Sequence, residues 1–210
     1  MSRKKIAVAM SGGVDSSLTA AILLYKGFEV VGVTMWLFGE EDQKFIQDAK
    51  KVAEQLGIVH YVADFRKDFR AEVENYFVEE YLRGRTPNPC VRCNKKIKFG
   101  KLFEFANYVG AEFLATGHYA RIVFEDERFK LKQAADHRKD QSYVLYNLTA
   151  EKLSKIILPI GELSKSETRQ LAEKLNLPVV LIDRPKIHYD NAVSSFDDVL
   201  TFCKDIERRL

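Results

Sequence analysis

Apolar residues along this chain switch repeatedly between two periods. Ile6-Ala7-Val8-Ala9-Met10 is an uninterrupted apolar run, the pattern of a short strand buried on both faces. Residues 14–26 carry apolar positions at helical spacing and stop at Gly27, a residue suited to ending a helix in the left-handed conformation. Glu29–Trp36 is again β-branched and apolar and predicts a second buried strand. A helix over 42–56 follows, with Phe45, Ile46, Ala49, Val52, Ala53 and Leu56 on one face and Gly57 closing it. The pattern predicts a strand over 58–63, a long helix over 69–82, a glycine- and proline-rich loop over 84–89, a helix over 94–109 and a strand over 112–116. Strands alternating with helices in this order predict an α/β fold, a doubly wound parallel sheet with helices on both faces. Ligands of such sheets lie beyond the carboxyl ends of the strands, where Ser11, Met35 and the Thr116-Gly117-His118 turn fall.

The regularity then changes. Residues 121–133 alternate around Glu125-Asp126-Glu127 and predict a small hairpin, and 140–158 predicts two short helices. Ser164-x-x-Glu167 has the form of a capping box opening a helix to Leu175, and 178–182 predicts a last strand. Beyond Asp183 the chain is polar until Phe196, Val199, Leu200, Cys203 and Ile206 form an amphipathic stretch. A length of 210 residues with 46% hydrophobic content suits one core and a small appendage. The expected division is a domain over 1–178 and a C-terminal extension over 179–210. A net charge of +3 permits a nucleic-acid partner without demanding one. The first apolar run is too short for a signal segment or a membrane span, and three cysteines do not make a disulfide framework. The expected compartment is the cytoplasm, with no membrane partner.

Chemistry enters at Ser11-Gly12-Gly13-Val14-Asp15-Ser16-Ser17, between the first strand and the first helix. Paired glycines let backbone amides approach an oxyanion closely, the helix start adds positive potential, and the serines supply hydroxyl donors. The lysine of a kinase-type phosphate loop is missing, so the loop should hold pyrophosphate rather than transfer a terminal phosphoryl group. S-G-G-x-D-S resembles the signature of the PP-loop ATP pyrophosphatases, of the adenine nucleotide alpha-hydrolase-like fold. That resemblance implies ATP, with Asp15 helping to organise Mg²⁺.

Three further clusters stand out. Arg85-Thr86-Pro87-Asn88-Pro89-Cys90-Val91-Arg92-Cys93 is a proline-framed loop that delivers two thiols. Arg92, Lys95, Lys96 and a helix start near Asn94 should favour the Cys93 thiolate, although a pair of buried reduced cysteines fits the same residues. Ala115-Thr116-Gly117-His118-Tyr119-Ala120-Arg121 reads by itself as a turn with a surface histidine. Arg138-Lys139-Asp140-Gln141-Ser142-Tyr143 reads by itself as a solvated helix cap.

Taken in order, these segments resemble the tRNA-uridine 2-sulfurtransferases, the MnmA/TrmU family, through residues 11–17, 86–99, 115–121, 139–148 and 158–169. The resemblance implies ATP-dependent tRNA thiolation. ATP adenylates O2 of the wobble uridine, and sulfur replaces that oxygen to give 2-thiouridine, AMP and pyrophosphate. It implies that Ser11, Gly12, Gly13, Val14, Asp15, Ser16, Ser17, Leu18 and Met35 line the ATP site, with Gly117 closing over the nucleotide. Asn88, Pro89 and Cys90 would meet the target base, Cys93 would be the catalytic nucleophile, and His118, Lys139, Asp140 and Gln141 would contact tRNA. Family members continue into further domains that grip tRNA, so recognition here is expected to use a homo-oligomer or a helper protein. A sulfide or a persulfide-carrying protein is the expected sulfur donor. The family's second cysteine is absent from the window holding His188, Tyr189 and Asp190. Cys90, Cys93 and Cys203 could instead hold a 4Fe-4S cluster with one open iron site, and a structural zinc would want His188 as its fourth ligand. A cluster-free persulfide relay remains beside these. Two alternatives to tRNA thiolation also stay open: a PP-loop sulfur transferase acting on a small molecule, and a non-enzymatic ATP-binding subunit.

Overall fold

The computed structural model describes residues 3–39 and 43–178. Its sheet starts from the apolar run: β1 is Lys5–Ala9, and Ile6, Ala7 and Val8 are fully buried. α1 (Val14–Tyr25) leads to β2 (Glu29–Trp36), and α2 (Gln43–Leu56) to β3 (Val59–Asp64). Two long helices come next. α3 runs over 66–82 with a π-helical turn at Arg70–Glu74, and α4 runs over 89–108 with a π-helical segment at Asn94–Lys101. Then come β4 (Phe113–Ala115), the hairpin strands β5 (Ala120–Glu125) and β6 (Arg128–Gln133), α5 (Ala150–Leu153), β7 (Ile156–Ile157) and α6 (Lys165–Lys174).

Five strands form one parallel sheet in the order β3-β2-β1-β4-β7. Successive residues of β1 face opposite sides. Ala7 joins a core with Val33, Phe65, Ile97, Phe99 and Leu114 under α3 and α4, while Ile6 and Val8 join Leu23, Val52 and Ala53 under α1 and α2. A third apolar cluster, with Val14, Leu18, Tyr119, Ile160 and Leu177, seats α6 against α1. The chain winds outward from β1 to β3 and then returns to the other side of β1 as β4. The crevice at such a reversal is where doubly wound sheets bind ligands, and the glycine loop and the 116–118 turn both open there.

Several expectations change. The helix expected from residue 94 begins at Pro89, with the Asn88 side chain accepting the Val91 amide at 3.2 Å. Ile156–Ile157, assigned to helix by its pattern, pairs with β4 as the fifth strand; two residues are too few to show a period. The rest of 140–158 is a 3₁₀ turn at Ser142–Val144 and the single turn of α5 rather than two full helices. The strand expected over 178–182, the extension over 179–210 and Cys203 lie outside the described residues, Pro178 excepted. No described helix is long and apolar enough to cross a membrane.

Candidate nucleotide and thiol site

The glycine loop leaves β1 tied to β2, with Met10 N–H donating to Val33 O at 2.8 Å. Gly12 has φ +69°, and a Cβ there would stand 2.5 Å from Asp48 Cβ and 2.9 Å from Ala49 N. Left-handed backbone pressed against α2 leaves room for glycine alone. No side chain caps α1 at Gly13, so its positive end faces the loop, the arrangement that binds oxyanions.

The serines divide. Ser11 is exposed, but Ser16 and Ser17 are buried, and their hydroxyls donate to Gly13 O at 3.1 and 2.9 Å. Ser16 Oγ also accepts the Ser11 amide at 3.2 Å. Both shape the loop instead of facing a ligand as expected. Val14 and Leu18 likewise point into the core, so only their backbones are placed to line a nucleotide. Gly117, expected to close over the nucleotide, lies against the start of α1, since a Cβ there would stand 2.8 Å from Asp15 C and 2.9 Å from Ser16 N. Met35 is half-buried at the carboxyl end of β2.

Asp15, expected to help organise Mg²⁺, is held by neighbouring side chains. Lys165 Nζ lies 2.7 and 2.8 Å from its two oxygens, and the Tyr119 hydroxyl donates to Oδ1 at 2.9 Å. Thr168 Oγ1 sits 3.0 Å from that hydroxyl. Burial, and then the Asp15 charge, push the Tyr119 phenol far up, so it stays a donor. Lys165 and Tyr119 fall inside the motifs, yet neither stands out in the sequence as a site residue. The available signal was a lysine in the first turn of a capped helix, where the macrodipole disfavours a cation. A second carboxylate, Asp48 on α2 beside Gly12, has a buried oxygen without a hydrogen-bond partner among the described residues.

On α4, Cys90 is exposed and Cys93 half-buried, three residues apart on one face of the first turns. Burial pushes the Cys93 thiol up; Lys98 pulls it down, and Cys90 pushes it further up. The expected thiolate is therefore not favoured. The helix starts too early to direct its dipole at Cys93, and two of the flanking cations are turned away. Arg92 bonds Glu72 Oε2 at 2.7 Å and stacks over Tyr76, and Lys96 lies 3.5 Å from Glu72. The π-helical segment brings residues five apart toward one face, which turns Lys98 toward Cys93. Asn94 is buried in α4 rather than at its start, with Nδ2 donating to Cys90 O at 2.9 Å.

His118 is no surface residue. It is 7% exposed, its Nδ1 is 2.7 Å from Thr116 Oγ1, and its ring lies 5.9 Å from Phe99. Burial, assisted by Lys98, lowers its pKa well below the usual value, so a neutral imidazole supports α4 instead of reaching outward to RNA. Asp140 and Gln141 also turn inward. Asp140 Oδ1 accepts the Ala134 amide at 2.8 Å, and Gln141 Oε1 accepts the Tyr119 amide at 2.9 Å. Lys139 is half-buried and engaged. The expected RNA-contacting side chains of 140–141 thus hold the loop together, because their polar atoms satisfy backbone that the hairpin leaves unpaired. Among the described residues no three His, Cys, Asp or Glu side chains are grouped to hold a metal ion. His188, like Cys203, lies outside them.

A tRNA-specific 2-thiouridylase MnmA from Carboxydothermus hydrogenoformans is 50% identical over 198 residues, covering 88% of this chain and 54% of that protein. One of the same name from Pelotomaculum thermopropionicum is 48% identical over 193 residues, covering 85% and 53%. The chain thus spans about half the length of the curated relatives it matches. A predicted tRNA methyltransferase subunit from Methanocaldococcus jannaschii superposes with TM-score 0.53 at 20% identity, over 81% of this chain and 74% of that one. NMN synthetase from Francisella tularensis gives TM-score 0.54 at 18% identity, over 99% and 82%. Both share the fold alone. The family model described as the tRNA methyl transferase HUP domain matches residues 4–185, and the chain belongs to that family, alongside the MnmA proteins.

Proposed function

We propose that this chain is the nucleotide- and thiol-bearing part of an ATP-dependent tRNA thiolase that makes 2-thiouridine. The observation that carries this reading is the 116–118 turn, which touches both halves of the chemistry. Gly117 lies on the first turn of the glycine loop's helix, and the neighbouring His118 packs on Phe99 of the thiol helix. The turn thereby links the glycine loop to the helix that carries Cys93.

A uridine carbonyl is a poor electrophile, so O2 first attacks the α-phosphorus of ATP. The O2–P bond forms, the bond to pyrophosphate breaks, and the N3 proton leaves. A persulfide sulfur on a carrier thiol, Cys90 or Cys203, attacks C2, and the C2–O2 bond breaks as AMP departs with the oxygen. Cys93 then attacks the carrier sulfur, freeing 2-thiouridine and leaving a disulfide for an external thiol to reduce. The persulfide comes from a sulfur-carrying protein. Mg²⁺, when bound, would offset charge on the phosphates, and Asp15 would be the carboxylate to hold it. Cys90 and Cys93, one helical turn apart, would supply two of the three thiolates of an open 4Fe-4S cluster, with Cys203 as the third. A PP-loop enzyme acting on a small molecule is the second reading, favoured by the inward turn of Asp140 and Gln141.

The test is release of AMP and pyrophosphate from ATP, with and without unmodified tRNA. Stimulation by tRNA is expected, with Asp15→Ala lowering release by about 10²-fold, the usual cost of losing one preorganised electrostatic group. Cys93→Ala should still form AMP but no 2-thiouridine. Parent-rate release by Asp15→Ala would overturn the nucleotide assignment, and thiolation by Cys93→Ala would overturn the role of the thiol. Release that ignores tRNA would transfer support to the small-molecule reading.

A further inference from the structure

Lys165 is held where a lysine is disfavoured twice. It is the first residue of α6, whose amino-terminal end repels a cation, and its side chain is only 13% exposed. What holds it is Asp15, by contacts of 2.7 and 2.8 Å to both oxygens, with the Tyr119 ring 5.7 Å from the ammonium. Its backbone is pinned separately, the amide donating to Asp136 Oδ2 at 3.2 Å. The side chain can therefore move without the helix moving. Asp15 in turn sits in the first turn of α1, inside the loop that the ATP reading assigns to phosphates.

We infer that Lys165 is an exchangeable counter-ion of the nucleotide site, neutralising Asp15 in the empty loop and passing to the phosphates when ATP and a divalent cation arrive. This rests on the ATP reading above. Charge balance favours the exchange. Asp15 beside ATP without a cation would add negative charge to negative charge, and a fixed Lys165–Asp15 pair would leave the phosphates without a neutralising side chain at this end of the loop. With the divalent cation on Asp15, the ammonium is released onto phosphate oxygen, and each anion keeps a partner. The side chain suits the task. Lysine is a compact charge on a flexible stem, whereas arginine binds carboxylate as a rigid two-point fork.

The experiment is calorimetric titration of the 210-residue chain with ATP, in the presence and absence of Mg²⁺. The variants are Lys165→Met, Lys165→Arg, Asp15→Asn and the double variant Asp15→Asn/Lys165→Met. Lys165→Met should weaken Mg·ATP binding at least tenfold, and Lys165→Arg should recover part of it. Asp15→Asn should lose most of the Mg²⁺ dependence. The double variant should bind ATP at least tenfold more weakly than Asp15→Asn alone, a cycle that isolates a direct contact between Lys165 and nucleotide. A lysine that only holds Asp15 in place would cost nothing in the Asp15→Asn background, and that result would overturn the inference. The double variant leaves no unpaired carboxylate, so the comparison survives if Lys165→Met alone fails to fold, which thermal unfolding reports. Folded parent chain that binds no ATP would overturn the nucleotide reading and this one together, whereas binding indifferent to Lys165 would overturn this one only.

Discussion

A Cβ placed on Gly161 would stand 1.9 Å from Ala120 O and 2.7 Å from Ala120 C, closer than any side chain can approach. The Gly161 carbonyl also accepts the Ala135 amide at 2.9 Å, so one glycine clasps the start of β5 and the end of the hairpin to the segment before α6. Gly161→Ala must part these backbones, at a cost of about 1–3 kcal/mol or more by analogy with overpacked cores. In a domain of this size each kcal/mol lowers Tm by about 2–4 °C. Gly27→Ala is the control. That site has φ +82° but no atom within 4 Å of the added carbon, so only backbone strain of about 1 kcal/mol applies. Thermal unfolding followed by circular dichroism should therefore show the larger fall for Gly161→Ala. Because Ala120 adjoins Tyr119, the same change should loosen the Tyr119 bond to Asp15.

At the scale of elements, α4 owes its early start to Asn88 and Pro89. Asn88 is a strong N-cap and Pro89 has the φ of a first helical residue, and together they draw both cysteines into the helix. Asn88→Ala should destabilise the chain by about 1 kcal/mol, with Asn88→Asp retaining most of the stability in the same denaturant titration. The capping signal is present in Asn88-Pro89 but is masked by the prolines that crowd the segment, and the burial that pushes the Cys93 thiol up comes from packing that the sequence does not display. Where periodicity runs over many residues, as in β2 and α2, the pattern marked the elements closely. It failed at β7, whose two residues join the sheet through β4 rather than through any period of their own. The need for glycine in the loop after β1 was legible from residue type and order. The Lys165–Asp15 pair was not, since it joins residues 150 apart and only the packing of α6 on α1 brings them together.

For the whole molecule, the near balance of charge is local as well as global. Glu72 on α3 neutralises Arg92 and Lys96 on α4, and Asp68 neutralises Lys101, so the face carrying the thiols is less basic than its sequence suggests. Glu72→Gln should release Lys96, while Arg92 stays anchored by its 2.9 Å bond to the Glu72 carbonyl. Binding of tRNA, measured by fluorescence anisotropy across a salt series, should then tighten at low salt. The log–log slope should steepen by about 0.7–0.9, the increment for one further phosphate contact. An unchanged slope would place the RNA elsewhere on the surface. The half-buried Cys93 bears on how the molecule withstands oxidation. Thiolates attack peroxide and stray disulfides, and a thiol whose pKa burial pushes up reacts with them more slowly. On the thiolase reading, the burial that would have to yield a proton before sulfur moves is the same burial that shields Cys93 from oxidative wear.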